Sequence, residues 1–302
     1  MDRMNRREFM VRSAVAAGSV FGGNILGQET APASRPVAVK PLAADDIVTL
    51  GKSGIQVSRL TIGTGMNGGR ESREMGEAGM VKLLRHALDR GINGWDTADM
   101  YQTHGYVKSA LQEIRRSQVV MVSKVRSTTA DEVRADIERF FLELNTDYID
   151  IMLLHCVKEG DWPQAMKGPM DVLSEYKARG RVRMVGVSCH GLAPLLAAAE
   201  EPWVEYVLAR VNPFAHAMDV DKPERVSAVV HVLEKMHQHG QVVQGMKIFG
   251  AGGCKTAEQK HESLRFALNQ PYLSGFTIGL SRIDHLDEVV GWIERLRVVP
   301  HA

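Results

Sequence analysis

Hydrophobic and polar positions alternate regularly from about residue 45 onward, where short apolar runs are separated by longer stretches with helical spacing. Two short apolar stretches flank residues 51–54 and predict a β-hairpin. Eight further runs have the length and apolar character of buried strands: residues 60–63, 94–97, 119–125, 149–155, 183–189, 206–212, 242–248 and 276–280.

The stretches between these runs predict helices, because apolar residues recur in them three and four positions apart. The clearest are residues 78–89, 130–144, 169–178 and 224–237. The strand runs are apolar on both faces, as parallel strands covered by helices need to be. Eight strand–helix units in about 240 residues favour an α/β fold of the closed (β/α)8 type, a TIM barrel, over an open doubly wound sheet. We therefore predict one barrel over residues 45–302 that opens with a short N-terminal β-hairpin.

The N-terminal segment has the features of a targeting signal rather than of a folded element. Arginines precede a weakly apolar run at residues 14–26, and an A-x-A cleavage site follows at residues 31–33. The stretch N-R-R-E-F-M at residues 5–10 resembles the twin-arginine (Tat) export signal. We expect residues 1–33 to be a Tat signal peptide and residues 34–44 a linker. The Tat machinery would then export the protein to the periplasm or beyond. A disordered basic tail is the alternative, and it would leave the protein in the cytoplasm.

Composition narrows the possible partners. The chain is 44% hydrophobic and 24% charged, and its formal net charge of +1 gives no electrostatic reason to expect nucleic acid. No run of about 18 apolar residues follows the N-terminal segment, so we expect no membrane span. Cys156, Cys189 and Cys254 are odd in number and far apart, so we expect neither a metal site nor a disulfide framework.

Chemically distinctive side chains follow three consecutive predicted strands. Asp96 ends the second, Lys124 lies near the end of the third, and His155 ends the fourth. Tyr101 follows Asp96 on the next loop. Because active sites of (β/α)8 barrels lie at the carboxyl ends of the strands, we expect these four residues to share one rim.

The chemistry that such a cluster supports is proton donation to a developing alkoxide. Tyrosine is a poor acid, with a pKa near 10 in water, and we expect Lys124 to lower it. Asp96 would keep the lysine charged, and His155 would orient a carbonyl oxygen. The matching hydride donor would be a nicotinamide cofactor. Each residue alone also has a plain structural interpretation, such as a solvated strand end, and the joint arrangement favours catalysis.

Two glycine-rich loops are candidate cofactor contacts. Residues 63–68 match G-x-G-x-x-G, but a polar stretch at 69–73 follows where a dinucleotide fingerprint needs a helix. We instead expect Gly65 and Met66 to let the backbone approach a nicotinamide at the barrel mouth.

The second glycine cluster follows Lys247 at the end of the seventh predicted barrel strand. Loops in this part of a barrel commonly hold phosphate, and backbone N–H groups of Gly250 and Gly252 could cradle a pyrophosphate. A flexible turn is the alternative interpretation.

With these residues in place, the chain resembles the aldo/keto reductase superfamily over roughly residues 46–295. The segment at residues 96–101 matches D-T-A-x-x-Y, Lys124 matches the lysine of the third strand, and His155 the histidine of L-L-H. Residues 180–188 are similar to the G-K-I-R-x-I-G-V-S segment. The resemblance implies an NADP(H)-dependent oxidoreductase that interconverts a small aldehyde, ketone or sugar and its alcohol, with Tyr101 as general acid/base.

The resemblance also implies further cofactor contacts. Arg282 would meet the ribose phosphate of NADP, since a guanidinium presents a planar fork of donors. The other residues implied as contacts are Ser188, Cys189, Lys247, Ser281 and Glu288.

Five positions depart from the family pattern. This chain has Gln102 where the family has a glycine, and His104 near the position of a usual acidic residue. It has Cys189 and Val289 where the family has asparagines, and Leu208 where the family has a glutamine. In the family these positions contact the cofactor, so we expect this chain to bind the nicotinamide end less tightly. A nicotinamide-nucleotide-binding sensor or accessory subunit with little turnover is the second functional hypothesis, although an intact catalytic tetrad disfavours it.

Overall fold

The computed structural model describes residues 42–296. The predicted Tat signal at residues 1–33 and residues 34–41 of the predicted linker lie outside the described residues.

An antiparallel hairpin and a closed barrel of eight parallel strands make up the sheet structure. The hairpin pairs β1 (Ile47–Thr49) with β2 (Gln56–Ser58). The barrel closes because β10 pairs with both β9 and β3. Its strands are β3 (Leu60–Gly63), β4 (Gly94–Asp96), β5 (Val120–Val125), β6 (Ile149–Val157), β7 (Val182–Cys189), β8 (Tyr206–Arg210), β9 (Val242–Met246) and β10 (Leu273–Gly279). The predicted hairpin and (β/α)8 barrel are confirmed.

Helices follow the barrel strands and cover their outer faces. Within the described range they are α1 (Arg70–Asp89), α2 (His104–Leu111), α3 (Ala130–Leu144), α4 (Trp162–Ala165), α5 (Lys167–Ala178), α6 (Leu192–Glu200), α7 (Val226–Gln238), α8 (Ala257–Leu268) and α9 (Ile283–Arg295). Short 3-10 turns include Asp99–Tyr101 and Gly250–Gly252. From Leu42 to Leu296, no helix is long and apolar enough to cross a membrane.

Strand residues divide between an inner and an outer hydrophobic cluster, because successive side chains of a strand point to opposite faces. On β5, Val120 and Val122 join the inner cluster, whereas Met121 packs in the outer cluster with the helices. Leu50 and Ile55 of the hairpin belong to the inner cluster as well. The hairpin therefore closes the end of the barrel at which the strands begin.

The polar stretch at residues 69–73, predicted as a loop, is helical in the structure. Helix α1 begins at Arg70, and a kink at Gly76 (φ 76°, ψ 167°) separates this first part from the amphipathic part. Ser72 is the one fully buried residue of this first part, which therefore lacks the apolar spacing by which helices are recognised. The topology excludes a dinucleotide fingerprint at this loop, since β3 belongs to a closed barrel and not to an open doubly wound sheet.

Candidate active site

The four predicted catalytic residues meet at the end of the barrel where the strands finish. Lys124 lies two positions after Val122 and His155 two after Leu153, so both point inward with the inner cluster. Asp96 is the last residue of β4. Tyr101 closes the 3-10 turn that follows β4.

A buried ion pair forms the floor of this cluster. Lys124 Nζ donates to Asp96 Oδ1 at 2.7 Å and to the carbonyl of Thr97 at 2.8 Å. Only 1% of Lys124 and 3% of Asp96 is exposed. Burial raises the pKa of Asp96 and lowers that of Lys124, and the attraction between the two charges opposes both shifts. The lysine is thereby fixed in position.

The Tyr101 hydroxyl lies 3.4 Å from His155 Nε2, and the two rings meet edge to face at 85°. Lys124 Nζ is 5.0 Å from the tyrosine ring centroid. The expectation that Lys124 lowers the pKa of Tyr101 is wrong for this structure. Burial raises that pKa well above its ordinary value, and the negative charge of Asp96 raises it further. The phenol is therefore protonated at neutral pH and can donate a proton.

His155 is a neutral imidazole in this site. Burial, followed by the positive charge of Lys124, lowers its pKa to about 2. Its Nδ1 is buried and has no hydrogen-bond partner among residues 42–296. A neutral imidazole can donate one N–H to an incoming oxygen without adding a charge.

A cavity of about 570 Å³ opens beside Tyr101 and Asp96, at the strand ends of β8–β10 and β3. Six residues predicted as cofactor contacts line it: Gly65, Met66, Lys247, Gly252, Ser281 and Glu288. The cavity therefore brings these six residues together with two of the predicted catalytic residues, Asp96 and Tyr101.

The other four predicted cofactor residues lie outside the cavity lining. Ser188 and Cys189 are buried on β7, where the Ser188 hydroxyl accepts a hydrogen bond from the Cys156 amide at 2.9 Å. Gly250 is packed under the side chain of His216. Arg282 is exposed, and its guanidinium pairs with Asp284 at the start of α9.

Position 65 requires a glycine because the backbone there passes close to the ring of Tyr101. A Cβ at this position would lie 2.4 Å from Cζ of Tyr101. No side chain fits there without moving the tyrosine, so Gly65 lets the loop after β3 pass against the ring. This close approach is to Tyr101, and the predicted approach of Gly65 and Met66 to a nicotinamide stays a prediction.

Sequence reasoning missed two cations that line the cavity, Lys255 and Lys260. Lys260 Nζ also lies about 6 Å from the ring centroids of Phe249 and Trp292. The only signal for them was a pair of basic residues shortly after the second glycine cluster. Thr277 Oγ1 adds a buried hydroxyl to the lining, and within the described range it has no partner.

The departures from the family pattern have visible structural consequences. Leu208 and Val289 both line the cavity, each only 2% exposed, and offer it no hydrogen bond. Gln102 has a left-handed backbone (φ 56°), which a glycine would adopt without strain. His104 is buried, and its ring nitrogens contact Glu143 Oε2 at 2.7 Å and Ser123 Oγ at 3.0 Å, so it has a structural role behind the strands.

Comparison with curated proteins gives partial matches. The chain is 28% identical over 160 residues to the aldo-keto reductase YhdN of Bacillus subtilis, covering 47% of this chain and 46% of that protein. It is 28% identical over 179 residues to L-galactose dehydrogenase of Arabidopsis thaliana, covering 56% of this chain and 53% of that protein. The chain thus spans about half the length of the curated relatives it matches.

Solved structures match nearly the whole barrel. The fold is similar to a protein of Pseudomonas aeruginosa described as an aldo-keto reductase, with a TM-score of 0.69 and 24% identity over 85% of this chain and 98% of that chain. A holo-form aldo-keto reductase of Bacillus halodurans gives a TM-score of 0.67 and 18% identity over 84% of this chain and 92% of that chain. These structures support the fold. The family model described as the aldo/keto reductase family matches residues 59–263, well over half of the chain. The chain belongs to the aldo/keto reductase family.

Proposed function

We propose that the protein is an NADP(H)-dependent oxidoreductase that interconverts a small carbonyl compound and its alcohol, with Tyr101 as general acid/base. The observation that carries the proposal is the surroundings of the Tyr101 hydroxyl. This protonated phenol borders the cavity, lies 3.4 Å from a neutral histidine and stands close to a buried lysine. Such an arrangement serves proton transfer and is unnecessary for binding alone.

Each residue then has a role in reduction. When bound, the nicotinamide cofactor supplies a hydride to the carbonyl carbon. Tyr101 donates its proton to the oxygen, which would otherwise become an alkoxide. His155 donates an N–H to the same oxygen and fixes the carbonyl. Lys124, held by Asp96, places its ammonium group 5.0 Å from the ring centroid of the phenolate that remains.

The cavity fits a nicotinamide dinucleotide in its chemistry. Lys247, Lys255 and Lys260 supply positive charge for phosphates, and Thr277 offers an unpaired hydroxyl to a polar group. Trp292 adds an aromatic wall at the same end of the cavity. We assign NADP(H) as the preferred cofactor because the exposed Arg282 directly follows Ser281 of the cavity lining and can reach the phosphate that distinguishes NADP from NAD.

Tyr101→Phe tests the proposal directly. Removing the hydroxyl should lower the rate of carbonyl reduction by roughly 10²–10⁴-fold, which is the usual contribution of a positioned general acid. NADPH affinity should stay unchanged. Steady-state oxidation of NADPH with a panel of small aldehydes, ketones and sugars measures the first quantity, and calorimetric titration measures the second. Tyr106→Phe, which removes a hydroxyl on α2 outside the cavity lining, is the matched control.

Two results would go against the assignment. Near-normal turnover of the Phe variant would remove Tyr101 from catalysis. A wild-type protein that binds NADPH but reduces no member of the panel would favour the sensor or accessory-subunit hypothesis.

A further inference from the structure

The mouth of the barrel has two unlike halves. The half from β9 through β10 to β3 borders the cavity proposed for the cofactor. In the other half, each strand from β5 to β8 ends with an inward-directed basic residue just above the catalytic level. These four residues, here called the basic half-ring, are Arg126, Lys158, His190 and Arg210.

The direction of each side chain follows from strand alternation. Arg126 lies two positions after Lys124, His190 two after Ser188, and Arg210 two after Leu208 of the inner cluster. The side chain of Lys158 also points inward, because β6 is irregular near its end. Cys156 has a left-handed backbone (φ 57°), and the pairing of β6 with β7 shifts register between Leu154 and Val157.

Strand pairing brings the basic residues to a similar height. Val125 pairs with Leu154, the residue before His155, so Arg126 follows next to the catalytic histidine. Val157 pairs with Cys189, and the His190 amide donates to the Val157 carbonyl at 2.7 Å. Neighbouring strands lie roughly 4.8 Å apart, so consecutive members of the half-ring are neighbours.

Positive charge in the half-ring exceeds the negative charge that compensates it. Arg210 is paired with Asp219 at 2.6 Å. Arg126 and Lys158 are exposed and have no carboxylate partner among residues 42–296. Burial and the nearby cations lower the pKa of His190 to about 4. None of the four residues lines the cavity proposed for the cofactor, so cofactor binding there leaves the charges of Arg126 and Lys158 uncompensated.

We propose that the carbonyl substrate carries an anionic oxygen group, a carboxylate or a phosphate, which binds Arg126 and Lys158 while its carbonyl lies at Tyr101 and His155. The proposal rests on the proposed carbonyl oxidoreductase function and names the substrate class of that same site. Arginine suits either group, since its planar donors match two oxygens at once. His190, 3.7 Å from Cys156 Sγ, stands at the inner edge of the half-ring and can donate a further N–H.

Matched substrate pairs test the charge requirement. Succinate semialdehyde and butanal differ by a terminal carboxylate, and glyceraldehyde 3-phosphate and glyceraldehyde differ by a phosphate. We expect kcat/KM to be about tenfold or more higher for the charged member of at least one pair, since bonds to charged groups are the stronger ones. The pair that shows the preference identifies the anionic group. Equal values within both pairs would overturn the proposal.

Arg126→Gln and Lys158→Gln test the residues. Each should raise KM for the charged substrate about tenfold and leave kcat and the reaction of the neutral aldehyde unchanged. Lys82→Gln removes an exposed lysine from the outer helix α1 and is the charge-matched control. Unaltered KM for the charged substrate in both half-ring variants would overturn the assignment.

A binding measurement separates this proposal from the proposed function. Calorimetry of the NADPH-loaded protein compares 4-hydroxybutyrate with 1-butanol, and glycerol 3-phosphate with glycerol, without turnover. Tighter binding of a charged ligand that is lost in Arg126→Gln supports the anion site even if no carbonyl is reduced. Reduction of neutral aldehydes with no preference for charged ligands keeps the oxidoreductase function and overturns the anion site.

Discussion

At the scale of single residues, the Lys124–Asp96 pair shows how burial shapes the site. Two charges that are almost fully enclosed cost desolvation energy, and their hydrogen bond at 2.7 Å offsets it. The same burial holds Tyr101 protonated and His155 neutral. The chemistry of the cluster therefore depends on exclusion of water as much as on the residues themselves.

A double-mutant cycle measures the energetic coupling between Lys124 and Asp96. Asp96→Asn and Lys124→Met should each lower the free energy of unfolding by about 3–5 kcal/mol, because each leaves a buried partner unpaired. The double variant should lose less than the sum of the two. Urea denaturation gives all four values. Arg225→Met, which breaks the exposed pair with Asp221, is the control and should cost about 1 kcal/mol or less. Strict additivity of the two buried changes would show that the pair is not coupled.

The meeting of the four proposed catalytic residues could be predicted from sequence because strand ends in a barrel converge on one rim. Asp96, Lys124 and His155 each lie at or near the carboxyl end of an apolar strand, and this position places them at the same end of the barrel. The pKa direction of Tyr101 could not be predicted, because it depends on how completely the ring is buried. Arg282, expected at the cofactor phosphate, is paired with Asp284 instead, and no spacing rule reveals such a local ion pair.

At the scale of elements, the start of α8 has the clearest link between local structure and the cavity. The Thr256 hydroxyl accepts from the Gln259 amide at 3.3 Å, and Gln259 Oε1 accepts from the amides of Thr256 and Lys255. This capping box fixes the helix start beside the cavity. Lys255 and Lys260 flank the cap, so the helix terminus and two side chains favour negative charge at the same place.

Cofactor binding by this element is testable with two variants. Lys255→Ala should weaken both NADPH and NADH by about tenfold, since a pyrophosphate is common to both and bonds to charged groups are strong. Arg282 is exposed and directly follows Ser281 of the cavity lining, so its guanidinium can exchange Asp284 for the additional phosphate of NADPH. Arg282→Ala should then weaken only NADPH and so reduce discrimination between the two cofactors. Calorimetric titration gives the affinities, with Lys52→Ala in the hairpin loop as the control. Equal affinity of the wild type for both cofactors would contradict the assignment of NADP(H).

Sequence patterns located the barrel strands to within a few residues but failed for the first part of α1. Strands were found because they are buried on both faces, and α3 because it buries a continuous apolar stripe. Residues 70–75 bury little, and Gly76 breaks the helix before the amphipathic part begins. A helix that does not contribute to the core leaves no periodic signal.

At the scale of the whole molecule, buried neutral histidines link stability to pH. The pKa of His155 is about 2 in the folded protein, against about 6.5 in an unfolded chain. Below pH 6.5 the unfolded state binds the additional proton, so stability falls as pH falls. Between pH 6.5 and 4.5 this group alone should cost about 2–3 kcal/mol.

Urea denaturation at pH 7.5 and 4.5 tests this linkage. His155→Gln should lose less stability on acidification than the wild type, by about that amount. His231→Gln, a change at an exposed position of α7, should behave as the wild type. The same pH dependence in all three proteins would exclude His155 as a source of acid lability.

We propose export by the twin-arginine route for the full chain, on the basis of residues 5–10. Changing Arg6 and Arg7 together to lysine should hold the precursor in the cytoplasm with its N-terminus uncut. Cell fractionation and N-terminal analysis of the double variant provide the measurement. Unchanged fractionation would contradict the proposal.

The closure of the barrel at β3 and β10 has a consequence for how the molecule opens. Phe276 pairs with Leu60, so this seam joins the two barrel strands that are farthest apart in the chain. This pairing can form only after β10 has been synthesised, and its loss leaves two unpaired sheet edges. Gly63 on one side of the seam and Gly279 on the other both line the cavity proposed for the cofactor. A molecule bound there contacts both sides of the seam, so we expect its binding to oppose separation of β3 from β10.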